Sequence, residues 1–305
     1  MSQKEFDLIE KHIRTGNGGD KTLLVGIGDD AAVVAGDSGI KYSYTTDATI
    51  EGVHFSRRYF STDAIARKVV AVNFSDLAAM GATPMYLLSS IIAPSRFEVG
   101  ELIDAIDLEV QRYGAQLIGG NLSKGNTLAI TATAIGSSPF HSSLLLRSGA
   151  KAGDLLYVTG PLGGSSAGLR SFQSSGDRSP DMEWFHLNPS AKVAAGLQLR
   201  DAGVKCAMDV SDGLVGDLRH IAARSSVRVV IDRAPVRPGA TLEDCLYGGE
   251  DYELIFATPP TLDIANTFKE AGIDEPLLFG HVERGAAEVV ADEIDLVGSG
   301  FEHIF

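Results

Sequence analysis

The stretch from Val69 to Pro84 constrains the fold more than any other. It reads Val-Val-Ala-Val-Asn-Phe-Ser-Asp-Leu-Ala-Ala-Met-Gly-Ala-Thr-Pro. Ile65, Val69, Val72 and Asp76 recur at helical spacing. Ser61 or Thr62 supplies an N-cap, Gly81 is a natural C′ residue, and Pro84 lies just beyond. A helix this small and apolar packs inside a protein. Asp76 nevertheless sits in its last turns, and a carboxylate on a packed helix needs a partner or a metal. The fold must therefore bring other groups to Asp76.

Several stretches offer such groups. Ile40–Tyr44 is apolar and β-prone, and it delivers Thr45, Thr46 and Asp47 at a strand end, with His54 seven residues after Asp47. Upstream, Gly26-Ile-Gly-Asp-Asp30 sets two carboxylates in a glycine turn. Downstream, Asp209-Val-Ser-Asp212-Gly places two carboxylates across a strand-to-helix turn. An N-cap serine with a first-turn aspartate accounts for Ser211 and Asp212 but leaves Asp209 unexplained. Gly248-Gly-Glu-Asp-Tyr-Glu253 sets Glu250 before a strand; alone it is a turn, and His54 alone reads as structural. Oxygen ligands of this kind suit a hard cation such as Mg²⁺. The expectation is that the carboxylates meet around bridging magnesium ions and hold a polyphosphate.

Charge narrows the function classes. The net charge is −14 and the pI about 4.9. That argues against nucleic acid, whose affinity rests on Lys and Arg at phosphates. An acidic chain still binds a polyphosphate when metals supply positive charge. The two cysteines, Cys206 and Cys245, make no disulfide framework. The start Met-Ser-Gln-Lys-Glu is polar, and no apolar run approaches the roughly 18 residues of a membrane span. A soluble cytoplasmic protein is expected, with no membrane partner.

The 305 residues suffice for two domains, and the boundary is drawn near Ser137-Ser-Pro139, giving 1–137 and 138–305. The first half reads as a helix at 4–14, strands at Leu23–Val25, Ala31–Val34, Ile40–Tyr44, Leu87–Ala93 and Thr127–Ile135, and the Asp76 helix. A capping box at Ser95–Glu98 opens a further helix with Leu102, Ile106, Val110 and Tyr113 on one stripe. The second half reads as strands at Asp154–Thr159, Cys206–Val210, Arg228–Ile231, Glu253–Ala257, Leu277–Phe279 and Glu288–Val290. Helices are expected from Gly163-Gly164, from Asn188-Pro189 to Gly203, from Ser211-Asp212 to Arg224 and over Leu262–Ala271. Ser174–Phe185 reads as a surface loop. The mixture lacks a strict βαβ period, so the class is α+β.

Some motifs fail on context. Gly26-Ile-Gly-Asp-Asp-Ala31 matches a dinucleotide fingerprint, but a strand follows where a helix is required. Gly120–Thr127 misses the P-loop order. Gly164-Ser-Ser-Ala-Gly168 matches a nucleophile elbow without an evident His/Asp pairing. The seven histidines show no zinc spacing.

Taken together, the motifs are far more specific. The chain resembles the thiamine-monophosphate kinase family, within the aminoimidazole ribonucleotide synthetase superfamily. The resemblance rests on Gly26–Ala32, Thr45–Asp47 with Gly52–Phe55, Asn73–Pro84, Gly119–Asn121, Arg147–Ala150, Asp209–Leu214 and Gly248–Leu254. It implies a two-domain fold whose N-terminal mixed sheet dimerises and whose C-terminal part is an α/β sandwich. It implies transfer of the ATP γ-phosphate onto thiamine monophosphate. Asp30, Thr45, Thr46, Asp47, Asp76, Asp209 and Asp212 match magnesium-binding positions. Gly120, Asn121, Arg147 and Ser211 match ATP-contacting positions, as does Tyr113. Asn121 stands where many members have an aspartate, and its oxygen can still ligate metal. His54, Glu250 and Phe301 match the thiamine phosphate pocket, with Phe301 where tyrosine is common. No residue is assigned as a general acid or base. Relatives that use a cysteine, near the N-terminus or at the C-terminus, are a poor match: the first cysteine is Cys206 and the chain ends His-Ile-Phe.

Overall fold

The computed structural model describes residues 21–176, 178–291 and 296. The expected helix at 4–14 and the Phe301 position lie outside them. The first half holds β1 (Leu23–Val25), β2 (Ala32–Ala35), β3 (Ile40–Ile50), α1 (Thr62–Ala79), β4 (Thr83–Ala93), α2 (Val99–Arg112), β5 (Gln116–Lys124) and β6 (Ala129–Pro139). Its strands form one six-stranded sheet in the order β1-β2-β3-β6-β4-β5, in which β4 and β5 run parallel. The second half holds β7 (Leu155–Val158), α3 (Gly164–Gln173), α4 (Pro180–Leu187), α5 (Val193–Asp201), β8 (Cys206–Asp209), α6 (Leu214–Ser225), β9 (Arg228–Ile231), α7 (Leu242–Tyr247), β10 (Leu254–Thr258), α8 (Ile264–Glu270), β11 (Leu277–Glu283) and β12 (Glu288–Ala291). Its sheet runs β12-β9-β11-β7-β10-β8, with β9 and β12 parallel. Two mixed sheets with segregated helices make an α+β fold, as expected. Among the described residues, no helix is long and apolar enough to cross a membrane.

Helix α1 is the centre of the molecule. Ser61 caps it, its hydroxyl accepting the Ala64 N–H at 3.2 Å. Gly81, at φ +65°, ends it where a Cβ would meet Arg200 at 2.9 Å. One face packs Val69, Val70, Phe74 and Leu77 against β4, β6 and α2. Ala78 and Ala79 join Leu199, Leu254 and Phe256 of the second half. Gly196 on α5 permits the approach, since a Cβ there would lie 2.0 Å from the Ala78 carbonyl. The helix is thus clamped between the two halves, which is why most of it is apolar or small.

The first sheet is covered on one face only. Alternation along β3 buries Lys41, Ser43 and Thr49 on the helix side. On the other face Tyr44, Ile92, Ile118 and Leu122 are exposed in the single chain.

Local expectations fail where tertiary contacts outrank local chemistry. Ser95 caps nothing; Arg96 turns the chain at φ +74°, and α2 starts only at Val99. Part of the Ser174–Phe185 loop is helical, because Pro180 sits at N1 of α4 and Met182 and His186 bury one turn apart. Asn188 does not cap α5, which begins at Val193; its side chain accepts from Arg67 at 2.6 Å and donates to the Trp184 carbonyl of α4. Helix α7 was not expected, although Thr241 and Asp244 form its capping box.

Candidate active site

Three elements carry carboxylates to one point. Asp76 projects from the last turns of α1, Asp209 ends β8, and Asp30 follows the glycine turn after β1. One oxygen from each lies within 4.8 Å of the other two. Asp47 reaches the same region because strand alternation turns Thr45 and Asp47 to the α1 side of the sheet. Thr45 donates to Asp76 Oδ2 at 2.5 Å, and Ser75 donates to Asp209 Oδ2 at 2.6 Å. Arg147 pairs with Asp30 at 2.7 Å, and its backbone N–H reaches Asp29.

Electrostatics set these carboxylates apart. Burial pushes Asp209 up to about 8, with Asp30 adding repulsion. Burial, then the charges of Asp47, Asp209 and Asp30, hold Asp76 well above the usual carboxylate range. Burial lowers the affinity of Arg147 for its proton, but the ion pair with Asp30 outweighs it. One guanidinium does not compensate four acids. A hard divalent cation does, and close-set carboxylate and hydroxyl oxygens are the donors it takes. The donor set fits magnesium.

A cavity of about 570 Å³ opens beside this cluster and lies between the halves. Asp47, Asp76, Asp209 and Asp212 line one end. The Asp209–Gly213 turn is not capped by Ser211 as expected. Gly213, at φ +104°, precedes α6, and the Asp217 carboxylate accepts the N–H groups of Ser211 and Asp212 at 3.1 and 3.2 Å.

His54, Tyr59, Lys68, His186 and Glu250 line the other end. His54 Nδ1 accepts the Ile50 N–H at 3.0 Å, which puts the ring proton on Nε2. Tyr59 stacks on Phe172 with centroids 4.2 Å apart. His186 shares a 3.0 Å hydrogen bond with Ser165, and burial, helped by Lys68, lowers it to about 4.

Five expected residues, Thr46, Tyr113, Gly120, Asn121 and Arg147, do not line this cavity, and Asp30 and Thr45 belong to the cluster without lining it. Thr46 faces away from Asp47, as the two-residue period of a strand requires, and donates to the Ala132 carbonyl. Gly120 and Asn121 lie on the edge strand. The register Asp47–Ala132–Ser89–Gly120 sets them three strands from Asp47, roughly 14 Å at ~4.8 Å per strand. Tyr113 turns into the core against Phe74, its hydroxyl accepting the Ala191 N–H. Arg147 is committed to Asp30.

The chain matches the family models for AIR synthase related protein, N-terminal domain, over residues 28–138, and C-terminal domain, over residues 151–293. It is 36% identical to thiamine-monophosphate kinase of Escherichia coli (strain K12) over 286 residues, 87% of either chain. It is 35% identical to that of Bacillus subtilis (strain 168), over 82% of either chain. The chain belongs to the thiamine-monophosphate kinase family. Its fold is similar to that of AaThiL complexed with AMPPCP and TMP, at a TM-score of 0.83 and 30% identity, covering 98% of this chain and 97% of AaThiL.

In this member of the family, three buried groups stand out that the sequence reading passed over. Lys68 shares a helical stripe with Val72 and Asp76, and all three line the cavity. Asp217 is a first-turn acid of α6, which suits any helix. His186 lay in the stretch read as running from loop to helix cap. Only Lys68 carried a usable signal: a cation four residues from Val72 on a helix otherwise read as buried.

Proposed function

We propose that the chain transfers the γ-phosphate of ATP to thiamine monophosphate, giving thiamine diphosphate and ADP. One observation carries this reading: a single cavity joins a buried carboxylate cluster to an aromatic end bearing His54 and Glu250. The AaThiL complex, which holds AMPPCP and TMP together, supports the same pair of substrates.

Asp30, Asp47, Asp76, Asp209 and Asp212, with the Thr45 hydroxyl, would hold magnesium ions and so orient the polyphosphate. Bound there, the ions supply positive charge to the phosphate oxygens as the phosphoryl group moves. Ser211 meets the nucleotide. His54 and Glu250 orient the acceptor so that its phosphate oxygen faces the γ-phosphorus in line with the departing ADP. Walls from both halves exclude water, which would otherwise compete as nucleophile. The acceptor phosphate is already largely ionised near neutral pH, so the chain needs no general base.

We assign the open face of the first sheet and its long edge strand β5 to a second copy of the chain. An exposed edge of this length with Ile118 and Leu122 beside it invites pairing. Light scattering that shows a stable monomer at micromolar concentration removes the homodimer. We assign the reaction to the cytoplasm and divide the chain into domains 1–137 and 138–305.

The test is a coupled assay with ATP, Mg²⁺ and thiamine monophosphate. Thiamine diphosphate should form, and free thiamine should be a poor acceptor. Turnover only with formylglycinamidine ribonucleotide replaces the reading with that of the purine enzyme.

A further inference from the structure

Lys68 is 1% exposed and sits on α1, two turns before Asp76. A lysine is almost never buried without partners. Its Nζ donates to the His54 carbonyl and to Glu250 Oε1, each at 2.5 Å, with the Phe60 ring 5.6 Å away. The two acceptors come from opposite halves of the chain. His54 belongs to the loop after β3. Glu250 belongs to the loop before β10, where it holds a left-handed φ of +66° and its N–H reaches the Ser211 carbonyl at 2.8 Å. A non-glycine residue in that region is strained and persists only when its surroundings fix it. Lys68 fixes the side chain, and Ser211 fixes the backbone.

The consequence is directional. Oε1 of Glu250 is committed to Lys68. Oε2 stands 3.8 Å from His186 Nδ1, beyond hydrogen-bonding distance, and the carboxylate is partly open to the cavity. We propose that Lys68 is the positioning residue of acceptor recognition: it holds the His54 loop and the Glu250 carboxylate in one register, so that Oε2 meets the acceptor. Thiamine monophosphate carries a cationic thiazolium, and a carboxylate with one oxygen fixed and one free orients such a group. The role rests on the acceptor reading of this end of the cavity. Among the described residues no hydrogen bond or ion pair joins Lys68 to Asp30, Asp76 or Asp209, so the KM for ATP serves as the internal control.

Lys68→Met tests the role by steady-state kinetics on the full chain. The acceptor KM should rise about 30-fold, which is about 2 kcal/mol at 1.4 kcal/mol per tenfold. The KM for ATP and kcat should stay within about threefold of wild type, the pattern of lost ground-state binding. A buried ion pair that only joined the halves would lower stability and leave that split absent. A folded Lys68→Met with an unchanged acceptor KM, or with both KM values raised alike, overturns the proposal. If Lys68→Met does not fold, Lys68→Arg keeps the charge but replaces a point donor with a planar fork. It should show an intermediate acceptor KM, and a wild-type value overturns the proposal. Wild type without turnover of thiamine monophosphate overturns the function itself; wild type that turns over beside an unaffected variant overturns only Lys68.

Discussion

The two ends of the cavity solve the problem of buried charge in opposite ways. At one end, Asp30, Asp76 and Asp209 set oxygens of like charge within 4.8 Å of one another. At the other, Lys68 and Glu250 set opposite charges 2.5 Å apart. The first arrangement is unstable by itself, and burial together with repulsion from neighbouring acids pushes Asp76 and Asp209 up. The second is complete within the chain. An uncompensated cluster is a place for a ligand that brings the missing charge, whereas a compensated pair is a fixture that aims something else. The chemistry therefore belongs to the acidic end and the selectivity to the paired end.

The sharpest way to break this contrast is Asp76→Asn. The variant should lose about 10²–10³-fold in kcat, the range seen when one group that stabilises transition-state charge is removed. Its metal-free melting temperature should equal or exceed that of wild type, since an amide stays neutral beside Asp47, Asp209 and Asp30 without having to hold a proton, while the Thr45 hydrogen bond has an oxygen left to accept it. Its gain on adding Mg²⁺–ATP should shrink. Retained turnover, or a large loss of metal-free stability, would make Asp76 a structural partner and erase the difference between the ends.

Lys68→Met should behave in reverse. It leaves a partly buried carboxylate unpaired and should cost about 2 kcal/mol of stability, below the ~3–5 kcal/mol for a fully buried pair because Glu250 is partly solvated. The double variant Lys68→Met with Glu250→Gln should recover part of that loss, measured by urea denaturation. No recovery means that the packing of the lysine stem, and not the charge pair, accounts for the loss.

This asymmetry also explains what the sequence revealed. Asp30 stands in a turn and Asp209 ends β8, where local structure does not call for an acid; Asp47 was expected at a strand end but lies inside β3, which runs on to Ile50; and Asp76 is a misfit on its own helix. Each is visible without knowing the fold. Lys68 is as much a misfit, but a lysine on a helix ordinarily snorkels to water, and its partner lies 182 residues away. Asp217 was hidden by a sufficient local explanation, since a first-turn acid suits any helix. Thr46 shows the converse: the two-residue period that turns Asp47 inward turns its neighbour outward, so its placement was available from the pattern alone. Strands and long helices were legible because periodicity sets them. The start of α2 and the whole of α4 were not, because a backbone turn at Arg96 and the burial of His186 are decided by contacts between distant segments.

The smallest effect is a pH dependence that separates the acidic end from every other titrating group. Asp209 has an ordinary value of 3.8 and is pushed up to about 8 in the metal-free fold, by burial first and by Asp30 second. The native state then holds a proton that the unfolded chain releases. This contribution to stability is fully present below about pH 3.8 and is lost progressively until pH passes about 8. Asp76 shifts in the same direction and reinforces it. With Mg²⁺–ATP bound, the carboxylates must be ionised, and stabilisation grows as pH rises. Melting temperatures in EDTA and in Mg²⁺–ATP should therefore diverge as pH rises through this window. His281 provides the control. Burial pulls it down, but hydrogen bonds to Asp232 and Glu283 outweigh that and raise it, so its contribution also fades as pH rises. It stands on β11, away from the cavity lining, and titrates alike with or without metal, so it cancels in the difference. His281→Gln should shift both curves together and leave their divergence intact. Curves that run parallel across this range would mean that the carboxylates at the acidic end do not titrate together with metal binding.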